Sequence, residues 1–194
     1  MEPFYVDPVL HTGRPTEKRS EVEDTCYDLL DGLGVGYDRA DHDAAGTIEA
    51  CAAVEAVIGV HICKNLFLCN RQQTEYYLLM MPGDKPFKTK DFSRQLGIAR
   101  VSFGTPEAME AMLRLTPGSV SILGLQFDPE NRVRLCIDGD VARAPFMRCH
   151  PNKNTSTLRL RTQDVLSVLL PYMHHKPTFV ELPWPEQNEP GQTE

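Results

Sequence analysis

Three short polar segments interrupt apolar stretches of the sequence and carry side chains able to do chemistry. The first is Cys63-Lys64-Asn65, which stands directly before the apolar residues 66–69. A lysine entering a buried strand must reach solvent along its aliphatic stem or bind an anion. The second segment is residues 116–121, where Gly118 would let the backbone approach an oxygen atom closely. An ordinary turn produces the same Thr-Pro-Gly-Ser pattern, so both interpretations stay open here.

The third polar segment, residues 149–156, concentrates hydrogen-bonding groups in one loop ahead of a strand. It contains one histidine, one lysine, two asparagines and two hydroxyl side chains. Such loops often bind ligands, although many are simple turns. The segment at residues 116–121 is not a phosphate-binding P-loop, because the Gly-x-x-x-x-Gly-Lys-Ser/Thr spacing does not occur.

The six cysteines are expected to be free thiols, because no Cys-x-x-Cys pair occurs and several stand in apolar runs. His61, Cys63, Cys149 and His150 could supply a zinc ligand set, but adjacent ligands fit one tetrahedral ion poorly. A thiolate nucleophile at Cys63 or Cys149 would need a lowered pKa, and no neighbouring residue indicates one. The sequence therefore predicts no metal and no cofactor.

The charge is unevenly distributed along the chain, whose formal net charge is −7. Residues 50–161 carry 15 basic and 10 acidic side chains, whereas residues 1–49 carry 4 basic and 12 acidic ones. The acidic total argues against a general nucleic-acid binder, yet the basic middle could present one positive face to phosphates. Charge scattered over all faces is the alternative.

The pattern of apolar residues predicts one α+β domain with a mixed or barrel-like sheet surrounded by helices. Residues 1–15 are expected to be an irregular arm, residues 16–182 the domain, and residues 183–194 a disordered tail. The apolar runs are too short to span a membrane and the N-terminus lacks a signal pattern, which predicts a cytoplasmic protein. Helices are predicted at 16–33, 47–57, 89–96, 105–114 and 162–171, and strands at 37–42, 65–69, 76–81, 120–127, 132–137 and 155–160.

Taken in their order and separation, the three polar segments resemble the YbaK/prolyl-tRNA-editing superfamily over about residues 16–182. Residues 47–50 are also similar to the family's sequence ahead of the lysine strand. The Lys-Asn-Leu-Phe-Leu run and the section 76–88 resemble the freestanding alanyl-tRNA(Pro) deacylases more than the cysteinyl-specific ones. Residues 43–46, Asp-Ala-Ala-Gly, stand where many relatives carry bulkier apolar residues.

The resemblance implies a metal-independent trans-editing hydrolase that removes alanine from mischarged Ala-tRNA(Pro). Lys64 would anchor the terminal phosphate or ribose, the backbone at Gly118 and Ser119 would hold the ester and a water, and His150 would contact the ammonium or ribose. The other substrate-binding candidates are Thr47, Ile48, Cys51, Asn65, Val120, Asn154 and Thr155. A small apolar pocket lined by Ile48, Cys51, Ala52 and Val120 would admit a methyl group and exclude a pyrrolidine ring.

Contacts with the tRNA backbone are expected from arginines and a lysine of the basic middle: Arg132, Arg134, Arg148, Lys153, Arg159 and Arg161. The partners implied are tRNA(Pro) and a prolyl-tRNA synthetase, with the protein a monomer or weak dimer. Three alternatives remain open: a Cys-tRNA deacylase, a non-catalytic regulator that senses tRNA or binds a synthetase, and a module that binds a free amino acid.

Overall fold

The computed structural model describes residues 4–185, apart from the side chain of Ile48. Nine strands occur in these residues. They divide between two sheets. The strands are β1 (His11–Thr12), β2 (Tyr37–Asp41), β3 (Cys63–Cys69), β4 (Tyr76–Pro82), β5 (Ser102–Phe103), β6 (Val133–Asp138), β7 (Phe146–Cys149), β8 (Ser156–Arg161) and β9 (Thr178–Val180).

Helices connect most of these strands, and side-chain caps fix where several begin. Ser20 and Glu23 form the predicted capping box at the start of α1, and Thr47 caps α2 by accepting a hydrogen bond from the Ala50 amide. None of the helices in residues 4–185 is both long and apolar enough to cross a membrane. The helices are α1 (Glu21–Gly32), α2 (Ile48–Ile58), α3 (Thr89–Leu96), α4 (Pro106–Leu113), α5 (Gly139–Arg143), α6 (Thr162–Asp164) and α7 (Leu170–Tyr172).

The smaller sheet has the order β1-β2-β8-β7 and is antiparallel throughout. The larger sheet has the order β5-β3-β4-β6-β9, antiparallel from β5 to β4 and parallel from β4 to β9. Mixed pairing together with interleaved helices confirms the predicted α+β class.

Strand β3 separates two apolar cores, because successive side chains of a strand point to opposite faces. Phe67 packs into the larger core, which side chains of both sheets share. Leu66 and Leu68 pack into the smaller core on the other face, together with Phe92 of α3. The same alternation decides which way Lys64 and Asn65 point.

One predicted strand is wrong: residues 122–127 form a 3-10 helix, Ile122–Phe127. A short apolar run does not distinguish a buried strand from a buried helical segment. Here the Ser121 hydroxyl accepts a hydrogen bond from the Leu123 amide and starts the helical turn. Gly124 lies so close to Leu115 that a Cβ would stand 2.7 Å from that side chain.

Parts of the predicted arm and of the predicted tail make contacts with the domain. Strand β1 lies within the predicted irregular arm and pairs with β2. In the predicted tail, Trp184 donates a hydrogen bond to Asp140, while residues 186–194 lie outside the described part of the chain. The last helical stretch is also irregular: a π-helical turn, Val165–Leu169, stands between α6 and α7. Strands β5, β7 and β9 and helix α5 also have no counterpart among the sequence-based predictions.

Candidate functional site

Asn65 connects strand β3 to the turn at residues 118–121. Its side-chain amide donates a hydrogen bond to the Val120 carbonyl at 2.9 Å. The next residue, Ser121, donates to the carbonyl of His150 at 2.6 Å. Three of the predicted site residues, distant in sequence, are therefore held together by two hydrogen bonds.

Asn154 joins the same group from the opposite side. Its amide donates to the Ala45 carbonyl at 2.9 Å, which attaches the loop ahead of α2. A Cβ placed on Gly118 would stand 3.9 Å from the Asn154 amide nitrogen, so the turn and this side chain face each other. Thr155, by contrast, has an exposed side chain and contributes its carbonyl to the His42 amide. We refer to the following residues as the polar cluster: Asn65, residues 118–120, His150, Asn152 and Asn154.

The turn depends on a glycine and on an internal network at Ser119. Gly118 has a φ of +84°, a backbone conformation that residues other than glycine rarely adopt. The Ser119 hydroxyl is used within the turn, donating to the Thr116 carbonyl at 2.8 Å and accepting from the Thr116 amide. Among residues 4–185, the backbone hydrogen bonds leave the Gly118 and Val120 amides without an acceptor. What the turn offers a ligand is therefore its backbone and not the Ser119 side chain.

Several buried polar atoms of this region have no hydrogen-bond partner among the described residues. They include Oδ1 of Asn65, Oδ1 of Asn154, both side-chain polar atoms of Asn152, and Nη1 of Arg148. Asn152 is 1% exposed and has a φ of +61°. An unsatisfied buried polar group costs about 1–3 kcal/mol, so a concentration of them indicates a place where a polar ligand or water binds.

The His150 ring is a hydrogen-bond acceptor at Nε2. Its Nδ1 lies 2.8 Å from the Ser156 carbonyl, which can only accept, so the proton is on Nδ1. Burial lowers the pKa of His150 to about 4, with His42 and Arg148 nearby also opposing a positive charge. The ring of His42 meets it edge to face at 6.1 Å. A neutral His150 can accept a hydrogen bond from an ammonium, a hydroxyl or a water.

We expect His150 to stay neutral between pH 8 and about pH 5. An unperturbed histidine titrates near pH 6.5, so its folded pKa is depressed. The neutral form therefore stabilises the fold above about pH 6.5, and this contribution is lost as the pH falls toward 4. Ring chemical shifts of His150 measured by NMR would test this, and a titration midpoint near 6.5 would contradict it.

The structure does not bring Lys64 into the polar cluster. Because Asn65 points toward Val120, its neighbour Lys64 projects from the opposite face of β3. There the ammonium donates to the carbonyl of Gly83 at 3.2 Å and to the carbonyl of Lys85. Burial lowers its pKa. Strand alternation is visible in the sequence and could have separated the two side chains.

Two of the four residues expected to form a small apolar pocket lie along an open groove. Cys51 and Ala52 line a groove of about 860 Å³ between α2 and residues 59–62, and the half-buried Glu55 lines it too. Thr47 stands at its end and uses its hydroxyl to cap α2. Val120 does not line this groove, and the Ile48 side chain lies outside the described residues. A space of this size does not exclude a pyrrolidine ring, so the expected compact pocket is not found here.

The predicted tRNA-contacting residues do not form one face. Arg134 is exposed on β6 of the larger sheet, and Arg132, directly before that strand, is exposed and pairs with Asp128. Arg159 lies on β8 of the smaller sheet and is bonded to Asp38 at 2.6 Å. Exposed Arg161 lies on the same strand, and Lys153 is half-buried in the loop that follows β7.

Arg148 is buried, contrary to the expectation of a tRNA contact. It is 6% exposed, and its environment includes the thiols of Cys63 and Cys51 and the carboxylate of Glu55. Burial lowers its pKa, and its unpartnered Nη1 lies in the interior. This placement does not fit a contact with the tRNA backbone. The single arginine of β7 gave no sign of this burial in the sequence, because it depends on both faces of the strand being largely covered.

The cysteines close to the site are protonated thiols. Burial raises the pKa of Cys63 to about 11 and that of Cys149 to about 12. Neither thiol would provide a useful fraction of thiolate at neutral pH. Within residues 4–185, histidine, cysteine and carboxylate side chains do not gather in groups of three that could hold a metal ion.

Residues 42–168 match the family described as the aminoacyl-tRNA editing domain. The chain is 28% identical over 140 residues to the prolyl-tRNA editing protein ProX of Acetoanaerobium sticklandii, covering 72% of this chain and 85% of that protein. It is 25% identical over 162 residues to prolyl-tRNA synthetase associated domain-containing protein 1 of Danio rerio, covering 82% and 85%. A solved structure described as a candidate trans-editing enzyme for prolyl tRNA synthetase has the same fold, with a TM-score of 0.61 at 14% identity, covering 86% of this chain and all of that one.

Proposed function

The chain belongs to the aminoacyl-tRNA editing domain family, and from this premise we propose that it hydrolyses the ester of mischarged aminoacyl-tRNA(Pro), with alanine as the amino acid removed. The observation that carries the proposal is the polar cluster, where the backbone of a neutral histidine is bonded to Ser121, next to a turn with unpartnered backbone amides. The names of two relatives, which refer to prolyl-tRNA editing and to prolyl-tRNA synthetase, support the choice of tRNA. The reaction belongs in the cytoplasm, beside the synthetase that makes the error.

In the hydrolysis of the ester, the protein mainly positions the substrate and a water and stabilises the developing charge. A water adds to the ester carbonyl carbon, the bond from that carbon to the terminal ribose oxygen breaks, and a proton moves from the water to that oxygen. The free amide groups of Gly118 and Val120 are the donors we assign to the developing oxyanion. His150 Nε2 accepts a hydrogen bond from the substrate ammonium or the ribose hydroxyl. With a pKa of about 4, it acts as an acceptor and not as a strong base.

A second site of this kind answers a physical limit on the synthetase. A pocket built for proline rejects the smaller alanine by only about 1–3 kcal/mol per missing methylene. Editing requires that the second site process alanine faster than proline. Because the groove along α2 is open, we place this discrimination in the positioning of the ester against the turn and not in the size of the groove.

The decisive experiment is a deacylation panel with the purified protein and Ala-, Cys- and Pro-tRNA(Pro), with and without the synthetase. We expect fast hydrolysis of the alanyl ester and little of the prolyl one. Faster hydrolysis of the cysteinyl ester would assign cysteine as the substrate. No hydrolysis of any of the three, with tight binding of tRNA, would overturn the proposal in favour of a non-catalytic sensor.

Replacing Gly118 by alanine is expected to slow deacylation by roughly tenfold or more. The new Cβ faces Asn154, and the φ of +84° adds about 1–2 kcal/mol of backbone strain. The matched control is Gly34→Ala, which has a φ of +67°, open space around it and a position at the end of α1. Both variants should lose similar stability in urea unfolding, and only Gly118→Ala should lose activity. Equal activity in the two variants would remove the turn from the site.

A further inference from the structure

A second, basic cleft lies on the face of β3 opposite the polar cluster. It has a volume of about 490 Å³, and its lining includes four cationic side chains and two aromatic rings. No carboxylate is among the lining residues. The cationic and aromatic members are Lys64, Lys88, Lys90, Arg100, Phe87 and Phe103.

Most of these charges are available to a ligand. Lys88, Lys90 and Arg100 are exposed and make no salt bridge with any residue in 4–185. Arg100 makes one hydrogen bond, from Nε to the Thr89 hydroxyl at 3.1 Å, which leaves its terminal nitrogens open. Lys64 gives two of its three ammonium protons to carbonyls and keeps one. Four cations around one concavity, in a chain with a net charge of −7, favour a polyanion.

The aromatic rings narrow the choice of anion. Phe103 is 63% exposed, unusual for a phenylalanine, and it meets Phe87 edge to face at 6.3 Å. Proteins bind single-stranded nucleic acid with cationic side chains that contact its phosphate backbone and with exposed aromatic rings on which its bases stack. A small phosphate would use the cations and leave the ring without a role.

The cleft is also close to the polar cluster, with only β3 between them. Strand β5 pairs with β3 at Leu68 and Cys69 alone, so on that side no strand of the described structure pairs with residues 64–66. A flexible chain can therefore pass over this edge at Lys64 and reach Asn65 on the other face. Duplex nucleic acid is too wide to do so, and a single strand is not.

We propose that this cleft binds the single-stranded 3′ end of the tRNA substrate. Lys88, Lys90 and Arg100 contact its phosphates, and Phe103 stacks on one of its bases. Lys64 holds the terminal nucleotide as it crosses β3 into the polar cluster. The proposal rests on the proposed function, whose ester lies at that 3′ end.

Binding of uncharged tRNA(Pro) tests the proposal, with the full transcript compared against one lacking its single-stranded 3′ nucleotides. The test variant is the double substitution Lys90→Glu and Arg100→Glu. A glutamate in the first turn of α3 suits the helix dipole, so the fold should be retained, which thermal unfolding checks. The control is Lys18→Glu with Lys176→Glu, an equal charge change on two exposed residues outside the cleft.

We expect the Lys90/Arg100 variant to bind the full tRNA about tenfold more weakly, with a shallower salt dependence. It should bind the shortened tRNA about as well as the unchanged protein does. Phe103→Ala should weaken binding of the full tRNA alone, by about fivefold or more. In deacylation, KM should rise while kcat changes little.

Two results would overturn the cleft assignment: an equal loss of affinity for both transcripts, or an equal loss in the Lys18/Lys176 control. Failure of the proposed function gives a different pattern. In that case the unchanged protein hydrolyses none of the esters, whatever the binding data are. The two proposals can therefore fail independently.

Discussion

Replacing Lys85 by methionine is expected to lower the free energy of unfolding by about 3–5 kcal/mol. Lys85 is 1% exposed and Asp138 is 0% exposed, and the Lys85 ammonium lies 2.9 and 3.0 Å from the two carboxylate oxygens. The ammonium also donates to the Leu182 carbonyl at 2.9 Å. Removing it leaves a buried carboxylate without its counter-charge, which costs more than the pair contributes. Urea or guanidinium unfolding measures the loss.

The matched control for Lys85→Met is Arg143→Gln. Arg143 makes ion pairs of 2.7 Å with both Asp140 and Glu181, but its side chain is 61% exposed. Exposed pairs contribute about 0–1 kcal/mol, so this variant should be nearly as stable as the unchanged protein. Combining Lys85→Met with Asp138→Leu should recover part of the loss, because no buried charge then remains. A loss below about 1 kcal/mol for Lys85→Met alone would show that the carboxylate finds other solvation.

Replacing Lys64 by alanine is expected to slow deacylation of Ala-tRNA(Pro) at least about tenfold. Loss of a well-placed donor typically slows a reaction by about 10²–10³, so tenfold is the lower bound of the expected effect. The ammonium stands at the edge of β3 between the basic cleft and the polar cluster, and one of its three N–H groups is free. Single-turnover kinetics with saturating protein measure the chemical step.

The exposed Lys176→Ala variant controls for the loss of one charge and should keep full activity. Lys64→Ala should remain folded, because the carbonyls of Gly83 and Lys85 become accessible to water once the side chain is removed. Unchanged turnover in a folded Lys64→Ala variant would end the assigned role.

Local features of the fold were predictable because their causes lie within a few residues. The capping box at Ser20 and Glu23, the Thr47 cap and the hairpin of β3 and β4 all follow from neighbouring side chains. The order of the three polar segments likewise indicates the family that residues 42–168 match.

The arrangement of the site was predictable only in part, because contacts distant in sequence create it. Asn65 meets Val120 across 55 positions, and Asn154 meets Ala45 across 109. A list of polar residues can name such side chains but cannot pair them. Burial of Arg148 is a similar case, since an arginine in a strand is most often at the surface and only the packing of α2 and β3 encloses it.

The buried ion pair has an optical consequence. Trp184 is the single tryptophan of the chain, and its ring lies 4.9 Å from the Lys85 ammonium. The Lys85 carbonyl in turn accepts the hydrogen bond from Lys64. The fluorescent indole of Trp184 is therefore connected to Lys64 on β3 through two contacts, both made by Lys85. A ligand that draws Lys64 away from this carbonyl would alter the intensity or wavelength of that emission, so occupancy could be followed without any added dye.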